Sequence, residues 1–224
     1  MIRKVFNLLY KKSRGINLEN SEAIPFQVIF RYSLTKMIQL LRGFLKGYRY
    51  VFLGKRVSVT GRKYLQVKSN VVIGDYVEIV AYSKSGVILG SRVTLDKGVV
   101  LRATSVIRQI GVGIMIGNRT AIGANSFLNG VGGIEIGEDC LLGPSVKIFS
   151  GNHEKPTTDS RSIEKRDIPS KIVIGDNVWI GANTLILAGV EIGSNSVIGA
   201  GSVVNKNVPT NGTVAGVPIK NISK

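Results

Sequence analysis

From Ile174 to Val208 an aliphatic residue returns at every sixth position: Ile174, Ile180, Ile186, Ile192, Ile198 and Val204. Four places after each stands a small or β-branched residue, in turn Val178, Thr184, Val190, Ser196, Ser202 and Val208. A period of six matches neither the 3.6-residue helix nor the alternation of a long strand. It suits a strand of about three to four residues and then a corner, where Gly and Asn allow positive φ. Three such units close a triangular coil of about eighteen residues. Coils stacked about 4.8 Å apart would bury the aliphatic positions in one column. The pattern predicts a parallel β-helix.

Upstream the same frame recurs with interruptions. Val67, Ile73 and Ile79 are in step, then Leu89, Leu95 and Leu101, then Ile116, Ile122 and Leu128, then Ile136, Leu142 and Ile148. Each slip marks a corner that bulges into a loop. The largest, at 151–171, is polar, proline-bearing and rich in both charges. A loop that long, extruded from an economical coil, is more often functional than accidental.

Before residue 65 the pattern changes. Phe30, Leu34, Met37, Ile38, Leu41, Phe44, Leu45 and Tyr48 recur at helical spacing, after a start between Ser21 and Pro25. Arg31, Lys36, Arg42, Lys46 and Arg49 interrupt any apolar span long enough to cross a bilayer. Two roles fit this amphipathic helix: a cap on the open end of the coil, or an interfacial helix lying on anionic lipid. Residues 1–14 are basic at both ends and too weakly apolar for a signal peptide. The expected division is a basic helical appendage at 1–64, a solenoid domain at 65–208 and a C-terminal tail at 209–224.

Charge sharpens that division. Residues 1–64 hold 14 Lys+Arg and 2 Asp+Glu, a net of +12, whereas residues 65–224 hold 16 and 12, a net of +4. No nucleic-acid module or aromatic-basic platform accompanies the basic segment, so no nucleic-acid partner is expected. An anionic membrane surface, or anionic saccharide precursors held there, suits it better. The single cysteine, Cys140, falls four places after Ile136 and is expected to fill the column rather than react. It rules out an intramolecular disulfide and suits a reducing compartment. The chain therefore reads as cytoplasmic, with its basic segment toward the inner face of the cell membrane.

The C-terminal segment, GDNVWIGANTLILAGVEIGSNSVIGAGSVVNKNVPTNGTVAGVPIK, resembles the signature of the hexapeptide-repeat acyltransferases, down to its V-A-G-V-P ending. The resemblance covers about Val67 to Lys220 and lies nearest the sugar and polysaccharide O-acetyltransferases. It implies a left-handed coil, although ordinary parallel crossovers are right-handed. It also implies acetyl-CoA as the acyl donor, a homotrimer with coenzyme A between subunits, and no metal. His153, the only histidine, stands where the family carries its catalytic base: it opens an extruded loop ahead of Val178-Trp179-Ile180-Gly181. An imidazole titrating near neutrality suits proton removal from a hydroxyl. Asp139, Glu154 and Asp159 are the candidate carboxylates to orient it.

The remaining positions also follow from the resemblance. Ala182 would offer its backbone N–H to the thioester carbonyl, although relatives often carry serine there. Asn125 and Trp179 would contact the acceptor. Asn125 also reads as a corner residue in left-handed geometry, and Trp179 as a subunit-packing residue. Lys206 and Lys220 would meet coenzyme A phosphates. The implied activity is O-acetylation of a saccharide hydroxyl, of a bacterial surface polysaccharide or its precursor. Two alternatives remain: N-acetylation of a nucleotide-linked amino sugar, and a non-catalytic solenoid scaffold. A three-histidine zinc carbonic anhydrase is excluded by the single histidine.

Overall fold

A computed structural model describes residues 2–14, 24–154 and 167–222. Within these, the solenoid residues form three sheets of short strands, of nine, seven and six strands respectively, parallel throughout except for the antiparallel Lys220–Asn221 at the end of the first. The chain visits the sheets in rotation. Val71–Ile73 lies in the first sheet, Glu78–Val80 in the second, Val87–Leu89 in the third and Thr94–Leu95 in the first again. Register is exact along the column: Ile122 faces Leu142, Leu142 faces Ile180, and Ile180 faces Ile198. Such alignment puts every sixth aliphatic residue at the axis. Ile180, Ile186 and Val204 are fully buried, as are Leu95, Leu101 and Ile122.

The second apolar position of each repeat is also inside. Val178 and Val190 are buried, and so are Thr184, Ser196 and Ser202, whereas Val208, expected at the second position after Val204, is buried in register with Ile192 and takes an axial place. Burial of those hydroxyls is tolerable because each is satisfied. Thr184 Oγ1 donates to Gly181 O at 2.8 Å, Ser196 Oγ to Pro209 O at 2.9 Å and Ser202 Oγ to Gly199 O at 2.6 Å. Asn125, Asn177, Asn183, Asn195 and Asn211 turn the corners at φ between 55° and 60°, a region where asparagine is tolerated. Cys140 is buried, with Sγ 3.0 Å from Gly175 O.

All the interruptions of the hexad frame fall on one edge of the prism, between the second and third sheets. The segments 61–64, 81–86, 103–113, 130–133 and 150–171 each replace that corner in successive coils. The other two edges keep the strict period. This is why the sequence shows regular runs separated by slips.

The column begins earlier than residue 65. Val51–Leu53 pairs with Val71–Ile73 in the first sheet, and Ser58–Thr60 pairs with Glu78–Val80 in the second. The excursion at 61–64 shifts the frame between Val59 and Val67, which hides this first coil from the periodicity. At the other end Thr213–Ala215 continues the first sheet, so part of the expected tail belongs to the coil.

Two helices precede the column, α1 at Ile2–Arg14 and α2 at Phe26–Leu45. They pack together through an edge-on Phe6–Tyr32 contact with ring centroids 5.3 Å apart. Helix α2 covers the open edge of the first strand. Arg42 Nη1 donates to Leu53 O at 2.8 Å, and a side chain at Gly43 would collide with Val51 O. The buried residues of α2 are Ile29, Ser33, Lys36 and Gly43. The apolar stripe that announced the helix points elsewhere: Phe30, Leu34, Met37, Leu41 and Phe44 are all exposed.

Candidate active site

The interrupted edge gathers the chemistry. Its largest excursion leaves the coil as an antiparallel hairpin, Gly151–His153 against Asp167–Pro169. The base of the hairpin is pinned by Ser150, which is fully buried. Its hydroxyl donates to Asn129 O at 2.7 Å and accepts from Gly132 N at 2.9 Å, and its carbonyl accepts from Ser170 N at 2.8 Å. Gly132 is required here, since a Cβ would sit 2.0 Å from Ser150 O.

His153 lies opposite Asp167 in the hairpin, with Nδ1 2.9 Å from Asp167 Oδ1. The imidazole is 76% exposed while the carboxylate is 11% exposed. A carboxylate acceptor fixes the hydrogen on Nδ1 and leaves a lone pair on Nε2. Asp167 is in turn held by the excursion two coils below. Gln109 Nε2 donates to Asp167 O at 2.7 Å, and Gln109 Oε1 accepts from Asp167 N at 2.9 Å. The side-chain amide thus closes a two-bond clamp that fixes the backbone of Asp167 but leaves its carboxylate for histidine.

Between these excursions runs a groove of about 450 Å³, with Phe149, Leu185 and Leu187 on its floor and Arg108, His153 and Asp167 among its walls. The floor is apolar because the second sheet turns those side chains outward, beside a ring pair of Phe127 and Phe149 at 5.5 Å. A groove with an apolar floor and one imidazole–carboxylate pair is suited to proton transfer on a bound substrate.

The carboxylate that the structure pairs with His153 is Asp167, which the sequence did not single out. Asp139 belongs to a different edge, where Arg119 Nε meets it at 2.6 Å. That hydrogen-bonded guanidinium holds the Asp139 carboxyl below its ordinary value. Glu154 follows His153 directly and is exposed, and Asp159 lies outside the described residues. Asp167 was missed because it sits fourteen positions from His153 in sequence and meets it only through hairpin pairing. Gln109 carried no signal of its own.

The other expected positions are spread over two edges, one sheet face and the C-terminal return strand. Lys206 is exposed at the corner after Val203–Val204, on the same edge as His153. Asn125 and Ala182 occupy corners between the first and second sheets, at the opposite end of the second sheet. Asn125 has φ 58°, and its Oδ1 lies against Gly98. At the Ala182 corner the flanking N–H groups are engaged, Gly181 with Ile198 O and Asn183 with Pro144 O. Trp179 is 55% exposed on the outer face of the first sheet, stacked in register between Leu141 and Val197. Lys220 is exposed on the short return strand beside Ala215. One copy of the chain therefore does not bring Ala182, Asn125 or Lys220 to His153.

Residues 171–206 match the family described as bacterial transferase hexapeptide (six repeats), and residues 113–144 match the hexapeptide repeat of succinyl-transferase. A serine acetyltransferase of Staphylococcus aureus is 38% identical over 122 residues, 54% of each chain. The chain thus spans about half the length of the curated relatives it matches. Among solved structures, a Bacillus cereus protein superposes with a TM-score of 0.58 at 23% identity, over 75% of this chain and 83% of that one. AntD, an N-acyltransferase from Bacillus cereus solved with dTDP and 3-hydroxybutyryl-CoA, gives 0.52 at 20% identity, over 81% and 86%. These likenesses establish the fold, the left-handed β-helix.

Proposed function

We propose that this chain, which carries the hexapeptide repeats of bacterial transferases on a left-handed β-helix, moves an acetyl group from acetyl-coenzyme A to a saccharide hydroxyl. The observation that carries the reading is the His153–Asp167 pair at 2.9 Å beside the apolar-floored groove. A sugar hydroxyl is a weak nucleophile at neutral pH and needs a base in hydrogen-bond reach. With Nδ1–H committed to Asp167, His153 Nε2 takes the hydroxyl proton as the oxygen bonds to the acetyl carbon. It then returns that proton to the departing thiolate, so the imidazole ends as it began. The serine acetyltransferase relative and the acyl-CoA held by AntD support acyl transfer from a thioester. The saccharide acceptor rests on the resemblance to sugar O-acetyltransferases and on the nucleotide-linked amino sugar, dTDP-4-amino-4,6-dideoxyglucose, held by a variant of AntD. A bacterial surface polysaccharide or its precursor is the acceptor class we favour.

In this reading Ala182 N–H meets the thioester oxygen, where a fixed donor lowers the barrier as negative charge develops. Trp179 and Asn125 border the acceptor, and Lys206 and Lys220 meet the diphosphate of coenzyme A. Ala182 and Asn125 lie on one edge of the second sheet and His153 and Lys206 on the other, which supports a centre completed by a second copy in a homotrimer. The test is turnover of His153→Ala, with hydroxyl and amine acceptors compared. Loss of about 10²–10⁴-fold is expected, the usual range for an absent general base. Near-normal turnover in folded mutant protein overturns the mechanism. Turnover confined to amino sugars replaces the hydroxyl acceptor with an amine.

A further inference from the structure

Helix α2 buries one side and leaves an apolar side exposed. The buried residues are Ile29, Ser33, Lys36 and Gly43, with Lys36 over Phe52 and Gly43 against Val51. On a separate face, Phe30, Leu34, Met37, Leu41 and Phe44 recur at alternating spacings of four and three and are 46–71% exposed. Single exposed apolar residues are ordinary, but a continuous helical stripe marks an interface. Beside it, α1 leaves Leu8 65% exposed next to exposed Lys4 and Lys11.

Charge identifies the occupant. Among the described residues no acidic side chain precedes Asp75, whereas Lys4, Lys11, Arg31, Lys46 and Arg49 are all exposed there. Arg31 borders the stripe, and Lys46 and Arg49 follow its C-terminal end. Lys36 is the exception, buried over the rings of Tyr32 and Phe52. A surface both apolar and negatively charged satisfies the stripe and its border together, and an anionic bilayer interface is such a surface. Spanning is excluded for the described helices, none of which is long and apolar enough to cross a membrane. A 20-residue helix is about 30 Å long and can lie in the plane of the interface.

We propose that α2, with α1 beside it, docks this protein on an anionic lipid surface. Its apolar stripe enters the boundary between headgroups and acyl chains, and the basic side chains meet lipid phosphates. The docking is independent of the acyl-transfer reading, since α1 and α2 hold none of the residues assigned to the groove.

The test is sedimentation of the full chain with vesicles of phosphatidylcholine alone or with added phosphatidylglycerol, at low and high salt. Retention on the acidic vesicles at low salt is expected, with partial release as salt screens the charges. Leu34→Glu combined with Leu41→Glu should lower the partition coefficient at least about tenfold, because both leucines would otherwise be buried in the bilayer. The double variant should keep the wild-type melting temperature, since both positions are exposed. Arg31→Gln or Lys46→Gln should each cost about fivefold at low salt. Wild-type protein that ignores acidic vesicles at low salt overturns the proposal. So does undiminished binding by the folded double-glutamate variant. A concentration-dependent mass that the double-glutamate variant abolishes, without vesicle binding, would assign the stripe to a second copy instead.

Discussion

Asp167→Asn isolates the least obvious part of the site. The substitution keeps the shape of the side chain and leaves the backbone clamp to Gln109 untouched, so the hairpin should fold as before. What changes is the hydrogen at His153. The carboxylate accepts from Nδ1 at 2.9 Å, whereas an amide can turn its NH₂ toward Nδ1 and favour the hydrogen on Nε2. A hydrogen bond to a charged group contributes about 1.5–3 kcal/mol. With the imidazole 76% exposed, water screens the pair and the lower figure applies. That corresponds to about a tenfold change in the ratio of the two tautomers, since about 1.4 kcal/mol is one decade. Histidine occurs once in the chain, so ¹⁵N spectra of labelled imidazole report His153 alone. The wild-type spectrum above the imidazole titration should show hydrogen on Nδ1, and Asp167→Asn should move it to Nε2. Turnover should fall by up to about tenfold from this ratio alone, and by up to about 10⁴-fold if the amide locks the wrong tautomer. Asp167→Ala, which orients nothing, should show a mixed spectrum. An unchanged tautomer with wild-type turnover in Asp167→Asn would refute the orienting role.

Two further outcomes test the frame of the coil. Ile186→Asp should abolish soluble, folded protein, because the position is fully buried and an unpaired carboxylate there costs several kcal/mol against a stability of about 5–15 kcal/mol. Soluble expression with a wild-type melting curve would mean the hexad register is wrong. Cys140 should resist thiol reagents in the folded protein at pH 8 and react promptly in denaturant, since burial pushes its thiol up. The sign for stability follows: this contribution is full below the unfolded thiol value of about 8.5 and is lost as pH rises toward the folded value. Rapid labelling of native protein at pH 8 would contradict the burial.

The hexads of the last coils could be read directly because their geometry is local. Ile174 to Val204 each fill one axial position, and a missing or polar residue would leave a void in the column. The buried hydroxyls of Thr184, Ser196 and Ser202 were legible for the same reason, as the small second position of each repeat. His153 stood out as the lone histidine at the root of the longest loop. The first coil was not legible, because Val51, Leu53 and Val59 precede an excursion that breaks the count before Val67. The face of α2 that is buried could not be read from periodicity. Its apolar stripe is the more regular, yet the stripe is exposed and Gly43 meets the strand edge at Val51, where the absence of a side chain allows close approach.

Sequence alone thus determined what repeats: the coil, its inward residues, the position of its loops and the excess charge before residue 65. Tertiary structure decided what depends on stacking. It placed every slip on the edge between the second and third sheets, because a corner can bulge without disturbing the strands that fill the axis. It brought Gln109 to Asp167 across two coils, and Asp167 to His153 across a hairpin. It also separated Ala182 from His153 by the width of the second sheet. Those relations are distances between coils, and a six-residue period carries no record of which corners end up above one another once insertions differ in length.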